Sequence, residues 1–300
     1  MLPFYGDIGL LDEAVRSVLA QESPDWRLTV IDDAYPDPSA GDLVRGHGDP
    51  RVTYLRNERN VGITANFNRA IELARADRLV ILGGDDRLLP GYVGHVHELA
   101  ARHPDAALVQ PGVRVIDDEG AEHLPLGDRM KRRYLPGGPR PVELSGEPLA
   151  ASLLRGNWLY FPSIAWRRDL MAGGFREDLS VAQDLDLILR IVTAGGSAVV
   201  DDRVAFEYRR HRASLSAVRG TDGSKFAEER AVFSAAAATA ERLGWRRAAR
   251  AARAHTSSRL HALTELPGAL ARGRGRAAGR LLRHALGGLE APGPDREARR

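Results

Sequence analysis

Through its first 120 residues the chain alternates short apolar runs with stretches of helical period, and this alternation constrains the fold more than any other feature. RLTVIDD (27–33), VTYLRN (52–57), RLVILGGDD (78–86) and AALVQPGVRVID (106–117) read as strands. Between them, LLDEAVRSVLAQ (10–21), ITANFNRAIELAR (63–75) and LPGYVGHVHELAARH (89–103) place apolar residues on one helix face, with Pro90 suited to a first turn. Strands alternating with helices of this length predict crossover units and a mostly parallel sheet flanked by helices, an α/β fold.

Beyond residue 117 the pattern changes. Residues 118–148 are rich in Gly, Pro and charge, with a basic knot at Met130-Lys131-Arg132-Arg133, and read as a long loop. LAASLLRG (149–156) and DLDLILRIVTAG (184–195) read as helices, the second closed by Gly195. AVVDDRVAFEYRRH (198–211) reads as two short strands, and 225–255 and 257–286 as helices. Charge divides the chain near Thr221-Asp222-Gly223-Ser224: residues 225–300 carry a net +9 and residues 1–224 a net −6. The expected organisation is a main domain over 1–224, a basic helical extension over 225–286, and a fraying tail over 287–300. Of the 43 basic residues 41 are arginine, lysine occurring only at 131 and 225.

With no cysteine, the chain has no disulfide, thiolate metal site, iron–sulfur cluster or cysteine nucleophile. No apolar run approaches the ~18–20 residues of a membrane span, and no basic-then-apolar leader opens the chain, so the expected location is cytoplasmic. GxxxxGK[ST], an early GxGxxG, HExxH and GxSxG are all missing. His95 and His97 diverge on their helix and read as surface residues.

Two apolar strands end in acidic pairs, Asp32-Asp33 and Asp85-Asp86. In an open parallel sheet ligands bind beyond the carboxyl ends of the strands, so both pairs are expected on one edge. Carboxylates crowded there call for a hard divalent cation, Mg2+ or Mn2+, shared with substrate phosphates. Asp184 precedes an apolar helix, where it reads as a helix N-cap, a cleft-facing acid, or both.

Several segments in order resemble glycosyltransferase family 2, of the GT-A type: LPFYGD (2–7), AVRSVLAQ (14–21) with LTVIDDAYPD, RNERNVGITANFNRAI (56–71), LVILGGDDRLLPGYV (79–93), GGFREDLSVAQDLDLILRIVTAG (173–195) and EYRRHRASLS (207–216). The resemblance runs from Pro3 to about Ser216. It implies the nucleotide-diphospho-sugar transferase fold, with a donor-binding half over about 1–117 and an acceptor half over about 118–224. It also implies metal-assisted, inverting transfer of a sugar from a nucleotide-diphospho-sugar to an acceptor hydroxyl, as in cell-surface polysaccharide synthesis.

Carried over by residue, Tyr5 packs on the nucleotide base and Asp33 bonds it. Pro3, Asn60, Gly62 and Asp85 complete the donor side with His211, which approaches the diphosphate together with Arg209 or Arg210. Asp85, Asp86 and His211 hold the metal, and Asp184 is the general base. In the aromatic stretch 157–161, Trp158 and Tyr160 either stack on a sugar ring of the acceptor or pack in the core. That acceptor is a glycan, a lipid-linked sugar or a small molecule. Two features depart from the family pattern. Gly83 stands where the first Asp of Asp-x-Asp belongs, and only Met1 and Leu2 precede Pro3, so the expectation is a start assigned late or a shortened first strand. These departures also motivate an alternative, a catalytically silent protein that binds sugar nucleotides.

The basic C-terminal part lacks interleaved aromatics, so nucleic acid is not an expected partner. GRAAGRLLRHALGGL (275–289) instead aligns Ala278, Leu281, Leu282, Ala285 and Leu289 on one face. That face is expected either on the main domain or on an anionic membrane.

Overall fold

The structure, a computed structural model, describes residues 1–210 and 225–287. Its elements to residue 116 follow the expected alternation: β1 (Leu2–Phe4), α1 (Ile8–Leu19), β2 (Leu28–Asp32), α2 (Ser39–Gly46), β3 (Val52–Arg56), α3 (Ile63–Leu73), β4 (Arg78–Val80), β5 (Arg87–Leu88), α4 (Tyr92–Arg102) and β6 (Leu108–Ile116). Then come α5 (Leu126–Tyr134), β7 (Val142–Ser145), α6 (Gly146–Arg155), β8 (Ala165–Arg167), α7 (Gln183–Thr193) and β9 (Ser197–Arg209). Four helices close the described chain: α8 (Lys225–Arg242), α9 (Arg246–Ala254), α10 (Thr256–Ala271) and α11 (Gly275–Leu286).

α1 shows the local logic. Asp7 caps it by accepting from the Leu10 N–H at 3.0 Å, and Leu11, Ala14, Val15 and Val18 form its buried stripe. Each such Leu or Val, fully buried, contributes roughly 1.5–3 kcal/mol.

β1, β2 and β3 form a parallel sheet in which Phe4, Asp32 and Arg56 stand in register. The second sheet has the order β4-β8-β6-β9-β5 with β7 also on β9, and it is mixed, β6 and β9 being the parallel pair. Met1 bridges the two sheets: its amino group donates to the Val80 carbonyl and its carbonyl accepts from the Leu82 N–H, both at 2.9 Å.

Strand side chains alternate between two cores, as the period of two requires. Leu79, Ile81, Leu108, Trp166, Ala198 and Val200 face one cluster with α6, α7, α8 and α9. Leu82, Val109, Ala165 and Val199 face the other with α1, α2 and α4. The result is a three-layer α/β/α arrangement. Val232, Phe233, Ala237 and Ala240 of α8 belong to the same buried cluster as Leu153, Trp158 and Leu185. Phe226, Ala262, Ala277, Ala278, Leu281 and Ala285 form a third, smaller core.

Several expectations are corrected. The segment 118–148 is not one long loop, because it folds α5 and β7. The two strands expected over 198–211 are one, β9, whose polar break at 201–203 is absorbed by register shifts opposite Gly112. A Cβ at Gly112 would lie 2.4 Å from the Asp202 carbonyl, so the bulge requires glycine there. α4 begins at Tyr92, beyond Pro90. His95 is buried, not on the surface, with Nε2 2.9 Å from the Asp201 carboxylate, whereas His97 is exposed. Ala278, Leu281 and Ala285 are buried, so that face of α11 packs inward, and Leu289 lies outside the described residues.

Candidate active site

The two acidic pairs, expected on one edge of a parallel sheet, belong instead to two different sheets, with β1 between them. β2 ends at Asp32, in register with Phe4, and a Cβ on Gly84 would meet the Phe4 ring at 3.5 Å. Ala34, just past the first pair, sits at φ 56, in the left-handed region where a non-glycine residue is strained.

Asp32 is fully buried and saturated. It accepts from the Tyr54 hydroxyl and the Arg56 guanidinium, both at 2.5 Å, and from the Tyr35 N–H at 2.7 Å. Asp33 accepts from Asn57 Nδ2 at 2.7 Å, from the Val61 N–H at 2.8 Å and from the Gly62 N–H at 2.9 Å. These bonds all tie Asp33 to the loop between β3 and α3. Gly62 enters α3 at φ 88, a conformation open to glycine, and Asn60 accepts from the Gly62 N–H at 3.0 Å. Asn66 completes the support, with its oxygen 3.2 Å from Asn57 Nδ2 and its own amide donating to the Ile31 carbonyl at 3.0 Å. Pro3 lies within β1. Beyond it Tyr5 is 55% exposed and meets Tyr35 edge-on at 5.3 Å, so an aromatic face stands open at the mouth.

The second acidic pair converges over Gly83. A Cβ there would lie 2.4 Å from Asp86 Oδ2 and 2.9 Å from Asp85 Oδ1, so the missing side chain leaves room for both carboxylates. Asp86 is buried, and burial followed by the charge of Asp85 drives its pKa well above the usual carboxylate value. Two hard, mutually repelling carboxylates suit a divalent cation such as Mg2+ or Mn2+. Among the described residues no group of three or more His, Cys, Asp or Glu converges on a metal position. The two carboxylates therefore fit such a cation as a partial ligand set. His211, expected as a further ligand, lies outside the described residues.

Arg209 is buried and already engaged. Its N–H donates to Asp86 Oδ1 at 2.9 Å, and its guanidinium to the carbonyls of Asp85, Asp117 and Asp118 and to Glu13. These bonds hold the acidic turn, and they occupy the guanidinium that was expected on the donor side. Its neighbour Arg210 grips Asp128 of α5 with two bonds of 3.0 and 2.9 Å.

Asp184 occupies the first turn of α7, and the N-cap is Ala182 rather than Asp184. Burial raises its pKa, while the Leu185 N–H, Lys131 and Asn157 oppose that shift. The segment leading into α7 is held from two directions. Thr64 of α3 donates to the Leu179 carbonyl at 2.7 Å and to Gln183, and Glu228 of α8 accepts from the N–H groups of Ser180 and Val181 at 2.8 Å.

Trp158 and Tyr160 do not present open rings. Trp158 is buried with its indole N–H on Ser152 at 3.2 Å. Tyr160 donates to Asp128 at 3.0 Å and meets Tyr208 at 5.2 Å. Asn57, Asn66, Arg56 and Asp128 were not singled out from the sequence, and Lys131 was noted only as part of a basic knot in a loop. A polar residue inside an otherwise apolar helix face, as at Asn66, was the available signal.

A family model described as glycosyl transferase family 2 matches residues 1–161. The succinoglycan biosynthesis protein ExoO of Rhizobium meliloti is 28% identical over 222 residues, covering 73% of this chain. This chain spans 62% of the length of ExoO, under two thirds. Among solved structures, S. aureus TarS 1–349 in complex with UDP-GlcNAc superposes with a TM-score of 0.62 at 12% identity, covering 95% of this chain and 89% of that one. The mannosyltransferase PcManGT of Pyrobaculum calidifontis, in complex with GDP-Man and Mn2+, gives 0.60 at 16% identity, covering 95% and 84%. The fold is that of these GT-A transferases.

Proposed function

The chain belongs to glycosyl transferase family 2, and from that premise we propose that it moves a sugar from a nucleotide-diphospho-sugar to an acceptor hydroxyl with inversion. The observation that carries this reading is the Asp85–Asp86 pair converging over Gly83, next to β1, which leads into the open Tyr5 ring and pairs with the strand that leads into Asp33. Tyr5, backed by Tyr35, takes the base. Asp85 and Asp86 would hold a divalent cation together with the donor's diphosphate. When bound, Mg2+ or Mn2+ neutralises charge growing on the leaving diphosphate. Asp184, fixed by α3 and α8, removes the acceptor proton. The complexes of TarS with UDP-GlcNAc and of PcManGT with GDP-Man and Mn2+ support a nucleotide-sugar donor and a divalent metal. The sugar transferred is of hexose or deoxyhexose type, and the domain organisation is a GT-A unit over 1–224 supported by the helices of 225–286.

The test is calorimetric titration of UDP-GlcNAc and GDP-mannose with Mn2+, together with release of the nucleoside diphosphate. Binding and turnover in the wild type, both abolished in Asp86→Ala with the fold intact, are expected. Unchanged binding in that variant overturns the metal site, and binding without turnover favours a silent sugar-nucleotide-binding protein.

Peripheral contact with an anionic membrane belongs to the same reading. No helix among the described residues is long and apolar enough to cross a membrane. Leu260, Leu263 and Leu270 are exposed along one stripe of α10, and Leu282 and Leu286 on α11, beside exposed Arg272, Arg274, Arg276 and Arg283. Vesicles of phosphatidylglycerol and phosphatidylcholine are expected to carry the wild type upward in flotation. Equal flotation of a Leu260→Asp, Leu263→Asp, Leu270→Asp variant rejects this surface.

A further inference from the structure

In a chain that uses arginine 41 times, its two lysines are not the default cation, and one of them, Lys131, faces the candidate base. Lys225 opens α8, with Nζ 3.1 Å from His261 Nδ1. Lys131 lies on α5. Its Nζ donates to the Leu159 carbonyl at 2.7 Å and sits 4.3 Å from the centre of the Tyr160 ring.

A line of hydrogen bonds leads from that ammonium to Asp184. The Leu159 N–H donates to Asn157 Oδ1 at 3.2 Å. Only the amide oxygen accepts that bond, so the Asn157 NH2 faces the other way. There it donates to Asp184 Oδ2, at 3.4 Å. Lys131, Leu159 and Asn157 thus orient a carboxylate that also sits in the first turn of α7, where backbone N–H groups favour an anion.

The charged groups around the pair come from each neighbouring element. Asp184 faces Lys131 of α5 and Glu229 of α8, with Asp186 two residues on in its own helix. Lys131 faces Asp128, Asp184, Arg210 and Lys225. Burial lowers the Lys131 ammonium to about 8, which leaves it charged at neutral pH, and burial raises the Asp184 carboxyl.

We infer that Lys131 and Asn157 are positioning residues for Asp184: Asn157 fixes the direction of the carboxylate, and the charge of Lys131 keeps it ionised inside a desolvated cleft. The inference deepens the proposed glycosyl transfer and rests on Asp184 as its base. A compact ammonium suits the place, because it bonds one carbonyl and covers one ring without the breadth of a guanidinium fork.

The presence of only two lysines makes the coupling directly readable. Full-length protein carrying 13Cε-lysine shows two lysine signals, assigned with Lys225→Arg. The Lys131 signal is expected to titrate near 8 and to fall by about half a unit or more in Asp184→Asn, because a facing negative charge is removed. An unmoved midpoint overturns the inference.

A second arm follows nucleoside-diphosphate release from UDP-GlcNAc or GDP-mannose with Mn2+ across pH 5.5–9. Without its cation, Asp184 in Lys131→Met should protonate at higher pH. The acidic limb then moves up by about half a unit or more, so the loss is largest at the acid end of the range and shrinks toward pH 8.5. Lys131→Arg, which keeps the charge, should restore the limb. A loss equal at every pH marks a merely structural role and overturns the inference. Turnover of Asp184→Asn within tenfold of wild type removes the base and this role together. A large loss there with an unmoved lysine midpoint removes the role alone.

Discussion

Gly83→Ala tests the geometry of the acidic turn most sharply, because it adds one methyl group and no charge. Gly83 is not in the left-handed region, so the residue is demanded by space rather than by φ. The new Cβ would sit 2.4 Å from Asp86 Oδ2 and 2.9 Å from Asp85 Oδ1, and both carboxylates must turn away. Asp86 would then lose the 2.9 Å bond from the Arg209 N–H. A hydrogen bond to a charged group contributes about 1.5–3 kcal/mol, so the metal-free protein should lose stability of that order. Displaced ligands should weaken Mn2+ binding about 10–100-fold, as loss of an outer-shell partner does. That corresponds to about 1.4–2.8 kcal/mol, the same size as the broken bond.

The assay is calorimetric titration with Mn2+, alone and with UDP-GlcNAc, beside thermal melting without metal. Gly83→Asp should weaken binding as well, although it restores the acid of the family's Asp-x-Asp, because its Cβ causes the clash. Gly84→Ala is the control: the nearest atom to its Cβ is 3.5 Å away, an ordinary contact. Affinity in Gly83→Ala within twofold of wild type with an unchanged melting temperature, or tighter Mn2+ binding in Gly83→Asp, refutes the reasoning.

Asp33→Asn should destabilise the fold by about 2–3 kcal/mol in urea unfolding and weaken donor binding, since one oxygen that accepts loop N–H groups becomes a donor. A chain ended at residue 224 should be insoluble or melt far lower, because it loses the Glu228 bonds to Ser180 and Val181 and uncovers the core beneath Phe233; soluble protein with wild-type melting would contradict this. His284 is fully buried and lowered to about 3 by burial first, so the unfolded chain binds the extra proton below 6.5. Its neutral form stabilises fully above pH 6.5, and stability falls as pH drops toward 3, by about 2 kcal/mol at pH 5; melting temperatures from pH 8 to 5 should show this slope and His284→Gln should flatten it.

What the sequence determined by itself was periodic and local. The alternation of two periods set the α/β layering, because strand and helix bury different spacings of the same apolar residues. Asp32-Asp33 and Asp85-Asp86 were legible as acids closing apolar runs, but they fall in two different sheets, joined through β1, rather than on one parallel edge. Asp184 was legible as an acid opening an apolar helix. The tertiary structure alone decided what each polar group meets. It turned Asp33 onto the 57–62 loop, engaged Arg209 with backbone carbonyls, buried His95 against Asp201, and packed Trp158 into the core. It also folded α5 from a segment whose Gly, Pro and charge signalled a loop, fixing it through Arg210, 82 residues beyond Asp128. Local spacing encodes which face of an element is apolar, but a hydrogen-bond partner from far along the chain exists only once packing has desolvated both groups and brought them into reach.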